Sequence, residues 1–594
     1  MVQLINNKHL THSLTRDIPR SFKEFKADII SRHQKECIIL QPSFWDKDQV
    51  SPDIDYEEGT SSEIEESKPD NVSSNKINKY TGSEKDPVQG GRLGKYWSIL
   101  TCGAGLFSDG YINNSISTVS TCLSKVYGKA YTESNAIKNV ASIVFVGTVV
   151  GQLVFGYAAD HYSRKASMLV GTVFLVVFAI MCGGAWGIHT TDSHPGGLFA
   201  ALTIYRFFLG IGIGSEYSSG SPAAAEAANC LPKRCRNRWF IWFTNLAINC
   251  GSVVGAFVPL VLVWICGEKH LTPVWRISLG MGAICPMILF FLRLRFKESE
   301  AFEKTKFTKG LPYLQIIKFY WYRCLIISVI WFLYDFSAYG FGTYSSIIIG
   351  LVLPKKASLA KNFGWHVVLT LFKLPGSYLG AYSSDYFGAR FSMTIGLLLH
   401  AALGFGIGGG LKHLTKHIGG FVVIYGVFSS LDGFSAGDNI GYIAASINAT
   451  PVRGTLYGVA AMVGKIGAFV GSYIFPSLIK RHGLASAYYV CSALAVFSAF
   501  LTYFCLPELD KEAMDREDIL FKEYLESQGY DITLMGLHRN DLEDSVIDTN
   551  TASFEVNEDD TKDEHKHIVG TYAIDSGNNS DNNSSSSIAV KETE

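Results

Sequence analysis

Twelve apolar stretches, each about long enough to cross a bilayer, dominate this sequence of 594 residues. An α-helix rises 1.5 Å per residue, so about 20 apolar residues span the hydrocarbon core of a membrane. Six stretches precede a charged segment and six follow it, which predicts an all-α membrane protein with twelve transmembrane helices in two six-helix halves. The predicted spans are 97–120, 137–160, 167–187, 198–221, 239–265, 273–293, 324–350, 364–386, 391–411, 418–441, 455–478 and 486–506.

The composition agrees with a membrane protein that carries polar tails. The chain is 48% hydrophobic, only 18% charged and rich in glycine. Its formal net charge of −1 gives no indication of a nucleic-acid partner. The cysteines are scattered, mostly within apolar runs, without the paired spacing of a zinc site, so we expect neither a metal nor a cofactor.

Both ends of the chain are polar and contain long runs of Glu, Asp, Ser and Asn. Such segments cannot bury enough apolar area to offset chain entropy, which predicts mostly disordered tails. They either are plain solvated chain or are acted on by regulatory kinases or the ubiquitin machinery. The predicted units are a tail (1–95), a helical half (96–293), a cytosolic loop (294–323), a second half (324–506) and a second tail (507–594).

Basic residues cluster in the loops that follow the even-numbered spans, as with Arg164 and Lys165 after the second span. Positive loops stay in the cytosol, so both termini are predicted to be cytosolic. Lysines on the opposite side, such as Lys355, weaken this contrast without reversing it.

Asp335 is the one charged residue in the apolar run from Cys324 to Leu351. Burying an ion at the bilayer centre costs at least about 2.5–3.5 kcal/mol, so such a carboxylate is expected to face a wet cavity. Trp331 and Tyr339 lie four residues to either side and share its helix face. This stripe predicts a binding surface that handles protons or ligand.

Two lysines also fall inside predicted spans. Lys465 lies between glycines in the eleventh span, and Lys373 lies in the eighth. Either cation can offset the charge of an anionic ligand, although Lys373 could instead extend to the membrane interface. The alternative role for Asp335 is a structural pairing with Lys465 or Arg206.

Asp109 and Glu216 are further acids within predicted spans, and proton relays in transporters are built from such groups. Arg206 lies ten residues before Glu216, too far along one helix to pair with it directly. We expect Arg206 to anchor the cytosolic end of its helix.

The same loop motif follows the second and the eighth span, with Asp160 and Arg164 in the first copy and Asp385 and Arg390 in the second. Two six-span halves with this duplicated loop resemble the major facilitator superfamily over about 97–506. The resemblance implies a rocking transporter in which these Asp/Arg pairs act as gating loops that latch neighbouring helices.

The stretch RFFLGIGIGSEY ending at Tyr217, and WFLYDFSAYG in the seventh span, resemble the phosphate:proton symporter branch of that superfamily. The resemblance implies that Tyr217, Trp331 and Tyr339 line the substrate site and that Lys465 is a phosphate or coupling residue. A carboxylate beside a phosphate repels it unless protonated, so Asp335 is predicted to carry the coupled proton.

The sequence also departs from that branch. Ile248 lies where that branch has a Gln that contacts phosphate. The polar contact is therefore lost in this chain, or it is made by Asn245 or Asn249 instead. Asp438 and Asn439 lie in an altered tenth span, and they are our preferred ligands for a head group. With GIGSEYSSGSPAAAEA and ATPVRGTLYG, the chain resembles the fungal glycerophosphodiester permeases. This implies proton-coupled import of glycerophosphocholine, glycerophosphoinositol or both across the plasma membrane.

Several alternatives stay open. Aromatic faces such as those of Trp331 and Tyr339 would suit choline, whereas Asp and Asn side chains would suit inositol. An inorganic phosphate:proton symporter and a transporter-like nutrient receptor are the competing functions. An enzyme is not expected, since no nucleophile/base pair stands out. The expected partners are the small-molecule substrate, protons and membrane lipids.

Overall fold

Long α-helices make up most of the part of the chain that the computed structural model describes. It describes residues 33, 35–37, 39, 92–191, 194–232, 234–307, 311–354, 357–507, 509–510, 512–531 and 535. All of them lie in one compact unit that ends at Leu537.

Ten helices among these residues are long and apolar enough to cross a membrane. They occupy the places of predicted spans 2–7 and 9–12, and we keep those ordinal numbers. Their bounds are Ala136–His161, Arg164–Gly183, Leu198–Asn229, Arg236–Cys266, Leu271–Leu294, Tyr313–Thr343, Ala389–Leu414, Ile418–Ser446, Thr450–His482 and Leu484–Cys505.

Helices also occupy the places of predicted spans 1 and 8, but they are not among the ten apolar ones. Span 1 is Leu106–Tyr127, preceded by a helix at Arg92–Gly103, and it buries many Ser, Thr and Asn side chains inside the bundle. Span 8 consists of Leu359–Leu371 and Lys373–Phe387. The all-α membrane fold is confirmed, and hydropathy supports ten of the twelve predicted spans.

Glycines let span 1 and span 5 approach closely. A Cβ atom on Gly110 would lie 1.8 Å from the carbonyl oxygen of Ile248, and one on Gly251 would lie 2.0 Å from that of Phe107. Any larger residue would push the two helices apart. This contact places the asparagines of span 5 opposite the polar face of span 1.

Helices occupy parts of the segments where the sequence predicted a loop or a mostly disordered tail, among them a short helix at Glu300–Thr305. Span 7 begins at Tyr313, inside the predicted loop, and a further helix runs from Ala513 to Ser527. The latter buries Phe521 against Tyr320 of span 7, with ring centroids 5.5 Å apart. Its apolar residues recur at helical spacing within a charged segment, a signal the sequence analysis passed over. Most of both tails, with any modification sites, lies outside the described residues.

Charged groups join the two halves at the end of the bundle that carries loops 160–164 and 385–390, which we call the basic end. Asp160 accepts hydrogen bonds from the backbone N–H groups of Gly454 (3.0 Å) and Thr455 (2.6 Å) in span 11. Glu226 of span 4 lies 2.8 Å from Arg453 of span 11 and 2.6 Å from Arg164. The contacts of Asp160 with span 11 and of Glu226 with Arg453 join the two halves, whereas the Glu226–Arg164 contact lies within the first half.

The second gating loop is arranged differently from the first. Asp385 lies 3.5 Å from Arg238 of span 5, which links the halves, and it does not pair with Arg390. Arg390 instead lies 3.0 Å from Glu36, which comes from the N-terminal region. The Asp160–Arg164 pair of the first loop is present, at 3.4 Å.

At the opposite end of the bundle the halves meet through hydroxyl pairs and through hydrogen bonds from Lys138 Nζ to Ser477 Oγ (3.3 Å) and from the Ala360 N–H to Glu268 (3.2 Å). The Oγ atoms of Ser117 and Ser345 are 3.3 Å apart, and those of Thr121 and Ser346 are 3.2 Å apart. Neutral hydroxyl pairs are weaker than charge-assisted hydrogen bonds. The basic end is the more firmly closed of the two, because the Glu226–Arg453 ion pair between the halves is buried there, whereas the charged contacts at the opposite end are partly buried or exposed.

Candidate functional site

A polar cavity lies between the two halves, and its empty space is about 950 Å³. Spans 1, 4, 5, 7, 8, 10 and 11 all contribute to its wall. The wall carries both signs of charge, from Asp109, Asp335, Lys373, Asp432 and Asp438. Titratable groups gathered in one concave site are typical of a functional centre.

Lys465 is held behind this wall by three oxygen atoms. Its Nζ lies 3.2 Å from the Asp335 carboxylate, 2.7 Å from the Tyr339 hydroxyl and 3.2 Å from the Tyr217 hydroxyl. It also lies over both tyrosine rings, 4.1 Å and 4.5 Å from their centroids. An ammonium group has three N–H donors, so these partners occupy all of them. The structural pairing of Asp335 with Lys465 is thus present.

Asp109 is the second acid of this cluster. It accepts hydrogen bonds from the hydroxyls of Tyr217 (2.7 Å) and Tyr339 (3.0 Å), and another from the side-chain amide of Asn113. Each tyrosine hydroxyl therefore accepts from Lys465 and donates to Asp109. One ion pair and the hydrogen bonds through the tyrosine hydroxyls therefore form a continuous polar path between two buried carboxylates, an arrangement that can carry a proton.

Trp331 lies in the cavity wall beside the cluster, as predicted from its position on the span 7 stripe. Its ring lies edge-on to Tyr457, 5.4 Å away, and edge-on to Tyr217, 6.4 Å away. Gly464 makes room for it, because a Cβ atom there would lie 2.4 Å from Trp331. Tyr457 was missed by the sequence analysis, since one tyrosine in an apolar span carries no signal.

Spans 5, 8 and 10 build a second polar region of the wall. Asp438 accepts hydrogen bonds from the Asn245 side chain (2.6 Å) and from the Ser377 hydroxyl. Lys373 and Asp432 line the cavity and are only partly buried. Among the described residues, no carboxylate oxygen lies within 4.0 Å of the Lys373 ammonium, so Lys373 lines the cavity without an ion-pair partner.

Glu216 does not line the cavity, and the proton-coupling role expected for it stays a prediction. Its two oxygens lie 2.5 Å and 2.6 Å from the guanidinium of Arg293, in a fully buried ion pair. Arg293 closes the pair from span 6, a partner that sequence spacing could not reveal. This geometry indicates a structural role in joining spans 4 and 6.

Asn439 and Arg206 also differ from their predicted positions. Asn439 does not line the cavity; it donates to the carbonyl of Ser435, 2.8 Å away on its own helix. Arg206 lies near the start of span 4, so it belongs to the end of the bundle opposite the basic end. Span 4 runs toward the basic end, so a cytosolic anchor at Arg206 does not agree with the prediction that the basic end is cytosolic.

Three helices of the wall contain a π-helical turn next to a cavity residue. A π turn inserts one extra residue and rotates everything after it, and such turns are frequent at functional sites. They reorient Tyr217, Asn245 and Asp438 relative to a regular helix. The turns are Glu216–Gly220, Trp242–Leu246 and Gly433–Gly437.

Two helical halves around a central charged cavity, with irregular turns in its wall, define a multi-pass membrane transporter of the major facilitator fold. The sequence profile of the sugar (and other) transporter family matches residues 98–310 and 303–521. The chain belongs to this family, and it is a transporter, not an enzyme.

Curated relatives cover most of the chain. It is 50% identical to the glycerophosphocholine permease GIT4 of Candida albicans over 451 residues, 74% of this chain and 84% of that protein. It is 44% identical to the major glycerophosphoinositol permease GIT3 of the same organism over 535 residues, 88% of this chain and 94% of that protein.

Solved structures support the fold. The proton:xylose symporter XylE of E. coli superposes with a TM-score of 0.59 at 16% sequence identity, covering 72% of this chain and 98% of XylE.

Proposed function

We propose that this chain imports glycerophosphodiesters across the plasma membrane by alternating access, driven by protons. Permeases for two such substrates are 44–50% identical to it over the aligned residues. The observation that carries the coupled mechanism is the Lys465 cluster, in which one buried cation is shared with Asp335 and two tyrosine hydroxyls at the wall of the cavity.

The basic end faces the cytosol in this proposal, because positively charged loops are retained there. Both termini then lie in the cytosol, and lipids surround the ten apolar spans. The charged links of Asp160 and Glu226 keep the cytosolic side closed. The hydroxyl contacts on the other side open more readily and admit substrate.

Charge balance explains why proton and substrate enter together. With Asp335 and Asp109 both ionised, the cluster holds two negative charges and one positive charge, and a phosphodiester anion is repelled. Protonation of Asp335 removes one negative charge and releases Lys465 to bind the phosphate oxygens. The hydroxyls of Tyr217 and Tyr339 rotate, so that they hydrogen-bond either to the substrate or to Asp109. Trp331 forms part of the pocket wall.

Return of the proton to the cytosol restores the Asp335–Lys465 ion pair and expels the anion. Lys373 supplies a second positive charge at the cavity wall, and Asp438 lies in the region proposed for the head group. Asp160, Arg164, Asp385 and Arg390 hold the gating loops. Regulatory kinases or the ubiquitin machinery acting on the tails belong to the same proposal.

Uptake of radiolabelled glycerophosphocholine, glycerophosphoinositol and inorganic phosphate tests this function. The chain should be expressed in cells that lack their own carriers and assayed at an acidic and a neutral external pH. We expect uptake of at least one glycerophosphodiester, faster at acidic pH and abolished by a protonophore. Absence of uptake of both phosphodiesters would refute the proposal.

Inorganic phosphate is the second candidate substrate. The residues that resemble the phosphate symporters, Tyr217, Trp331, Asp335, Tyr339 and Lys465, do come together in one cluster. Competition separates the two cases. If equal low concentrations of phosphate and of unlabelled phosphodiester inhibit labelled phosphodiester uptake equally, phosphate is also a substrate.

A further inference from the structure

The cavity wall formed by spans 5, 8 and 10 mixes hydrogen-bond donors with acceptors. We call it the polar wall and define it as Asn245, Asn249, Lys373, Asp432 and Asp438, all of which line the cavity. Two of its buried atoms have no hydrogen-bond partner among the described residues. They are Nδ2 of Asn249, a donor, and Oδ2 of Asp438, an acceptor.

The polar wall has two levels, one helical turn apart. At the level nearer the basic end, Asn245 and Ser377 already bond to Asp438. At the other level Lys373 and Asn249 flank span 10. A Cβ atom on Gly433, next to Asp432, would lie 3.7 Å from both the Lys373 carbonyl oxygen and Asn249 Nδ2. This level offers an ammonium, an amide and a carboxylate to a ligand.

Space continues behind the second level. A smaller cavity, with about 400 Å³ of empty space, shares Lys373 and Asp432 with the main one. Its remaining lining includes hydroxyl groups and an imidazole, from Ser345, Thr370 and His400. Lys373 and Asp432 therefore border both cavities.

Such a mixture of donors and acceptors discriminates between head groups. A hydroxyl both donates and accepts, so a polyol can satisfy an ammonium, an amide and a carboxylate together. Phosphate oxygens only accept and would be repelled by Asp432. A quaternary ammonium forms no strong hydrogen bond. Its attraction to Asp432 is opposed by Lys373, and it leaves the N–H groups of Lys373 and Asn249 unpaired. The aromatic residues of the cavity wall, such as Trp331, Tyr334 and Tyr457, lie outside the polar wall.

We propose that the polar wall is the head-group site and that it takes a polyhydroxyl head group, of the inositol or glycerol type, in preference to a quaternary ammonium. This inference rests on the proposed function, with the phosphate at the Lys465 cluster. It also assigns a role in substrate selection to Lys373 and Asp432. The resemblance to phosphate symporters gives these two residues no role.

Transport kinetics with three substrates test the inference. Radiolabelled glycerophosphoinositol, glycerophosphoglycerol and glycerophosphocholine share the phosphodiester and differ in the head group. For the unmodified chain we expect a KM for glycerophosphocholine about tenfold or more above those of the two polyol substrates, because a site built for hydrogen bonds rejects a ligand that lacks them.

Two substitutions sharpen the test. Asp432→Asn should raise the KM for glycerophosphoinositol about tenfold and that for glycerophosphocholine less than about twofold, since it removes a charged acceptor. Lys373→Met should raise the KM for the two polyol substrates and lower the KM for glycerophosphocholine. Lys412→Met, at an exposed lysine outside the cavity, is the matched control and should change neither KM.

The possible failures are distinguishable. If the unmodified chain moves no glycerophosphodiester, the proposed function falls and this inference with it. If it moves glycerophosphocholine with a KM equal to or below that of glycerophosphoinositol, only the head-group inference is overturned. Equal effects of Asp432→Asn on both substrates would overturn it as well. The measurement on the unmodified chain needs no variant to fold.

Discussion

The ammonium of Lys465 lies 3.2 Å from the carboxylate of Asp335, and each residue is only 1% exposed. A buried ion pair adds little net stability, because desolvation of the two charges offsets their attraction, yet loss of one partner leaves an uncompensated charge. Apolar residues would fill the same space at less cost. We therefore attribute these two charges, buried deep in a membrane protein, to the proposed proton coupling.

Replacement of Asp335 tests the coupled proton directly. We expect Asp335→Asn to abolish accumulation against a gradient, because an amide cannot take up and release the proton. Substrate exchange across the membrane should persist, since Lys465 is then permanently released. The measurement is labelled uptake with and without a pH gradient, and Asp510→Asn at the surface is the control. Accumulation at the unmodified level would refute the role of Asp335.

The Tyr339 hydroxyl should contribute to substrate binding. Tyr339→Phe removes one hydrogen bond from Lys465 and one to Asp109, both involving charged groups. We expect the KM for glycerophosphodiester to rise about tenfold or more, from a loss of roughly 1.5–3 kcal/mol. Tyr378→Phe, an exposed tyrosine outside the cavity, should leave the KM unchanged. Equal KM values for both variants would exclude Tyr339 from the site.

Glu216 should prove structural. Glu216→Gln leaves the buried guanidinium of Arg293 uncompensated, which costs about 3–5 kcal/mol of stability. The expected result is a lowered Tm for the purified protein in detergent. A Glu216→Leu/Arg293→Met double variant should recover much of that loss. An unchanged Tm combined with lost proton coupling would instead restore the relay role predicted from the sequence.

Asp160 should hold the basic end closed. It bonds to two backbone N–H groups at the start of the span 11 helix, where a negative charge is favourable. Asp160→Asn should weaken this latch by roughly 1–2 kcal/mol, which corresponds to about 5–30-fold more open molecules. A cysteine placed at buried Ser221 reports opening through its rate of labelling by a thiol reagent. An unchanged labelling rate would mean that the latch lies elsewhere.

The helix Ala513–Ser527 should dock in a pH-dependent way. Burial raises the pKa of Asp518 above its ordinary value of 3.8, partly countered by Arg453 and by hydrogen bonds from Thr450. A carboxyl whose pKa is raised on docking takes up a proton, so docking is strongest below its ordinary pKa and weakens as pH rises through the raised value. Hydrogen exchange of residues 513–527, corrected for intrinsic rates, should show greater protection at about pH 5 than at about pH 7.5.

Asp518→Asn provides the control for this pH effect. The amide keeps an acceptor for the Thr450 N–H, which lies 2.6 Å from Asp518, but it does not titrate in this range. The difference in protection between the two pH values should shrink in this variant. The same difference in both proteins would assign the effect to another group.

Much of the architecture could be predicted because hydropathy and charge are local properties of the chain. Hydropathy indicates the ten apolar spans, and the loop motif repeats at Asp160 and Asp385. The stripe of Trp331, Asp335 and Tyr339 follows from spacing along one helix. Span 1 is less apolar because it buries polar residues inside the bundle, and span 8 is interrupted at Phe372, which leaves two helices of 13 and 15 residues.

The sequence by itself therefore determined the helical membrane class, the two halves and the face of span 7 that lines the cavity. Only the tertiary structure decided which charges meet: Lys465 with Asp335, Glu216 with Arg293, and Arg390 with Glu36. The physical reason is that these pairs join distant helices. The π turns before Asp438 and around Tyr217 also rotate side chains away from the regular spacing on which a sequence prediction depends.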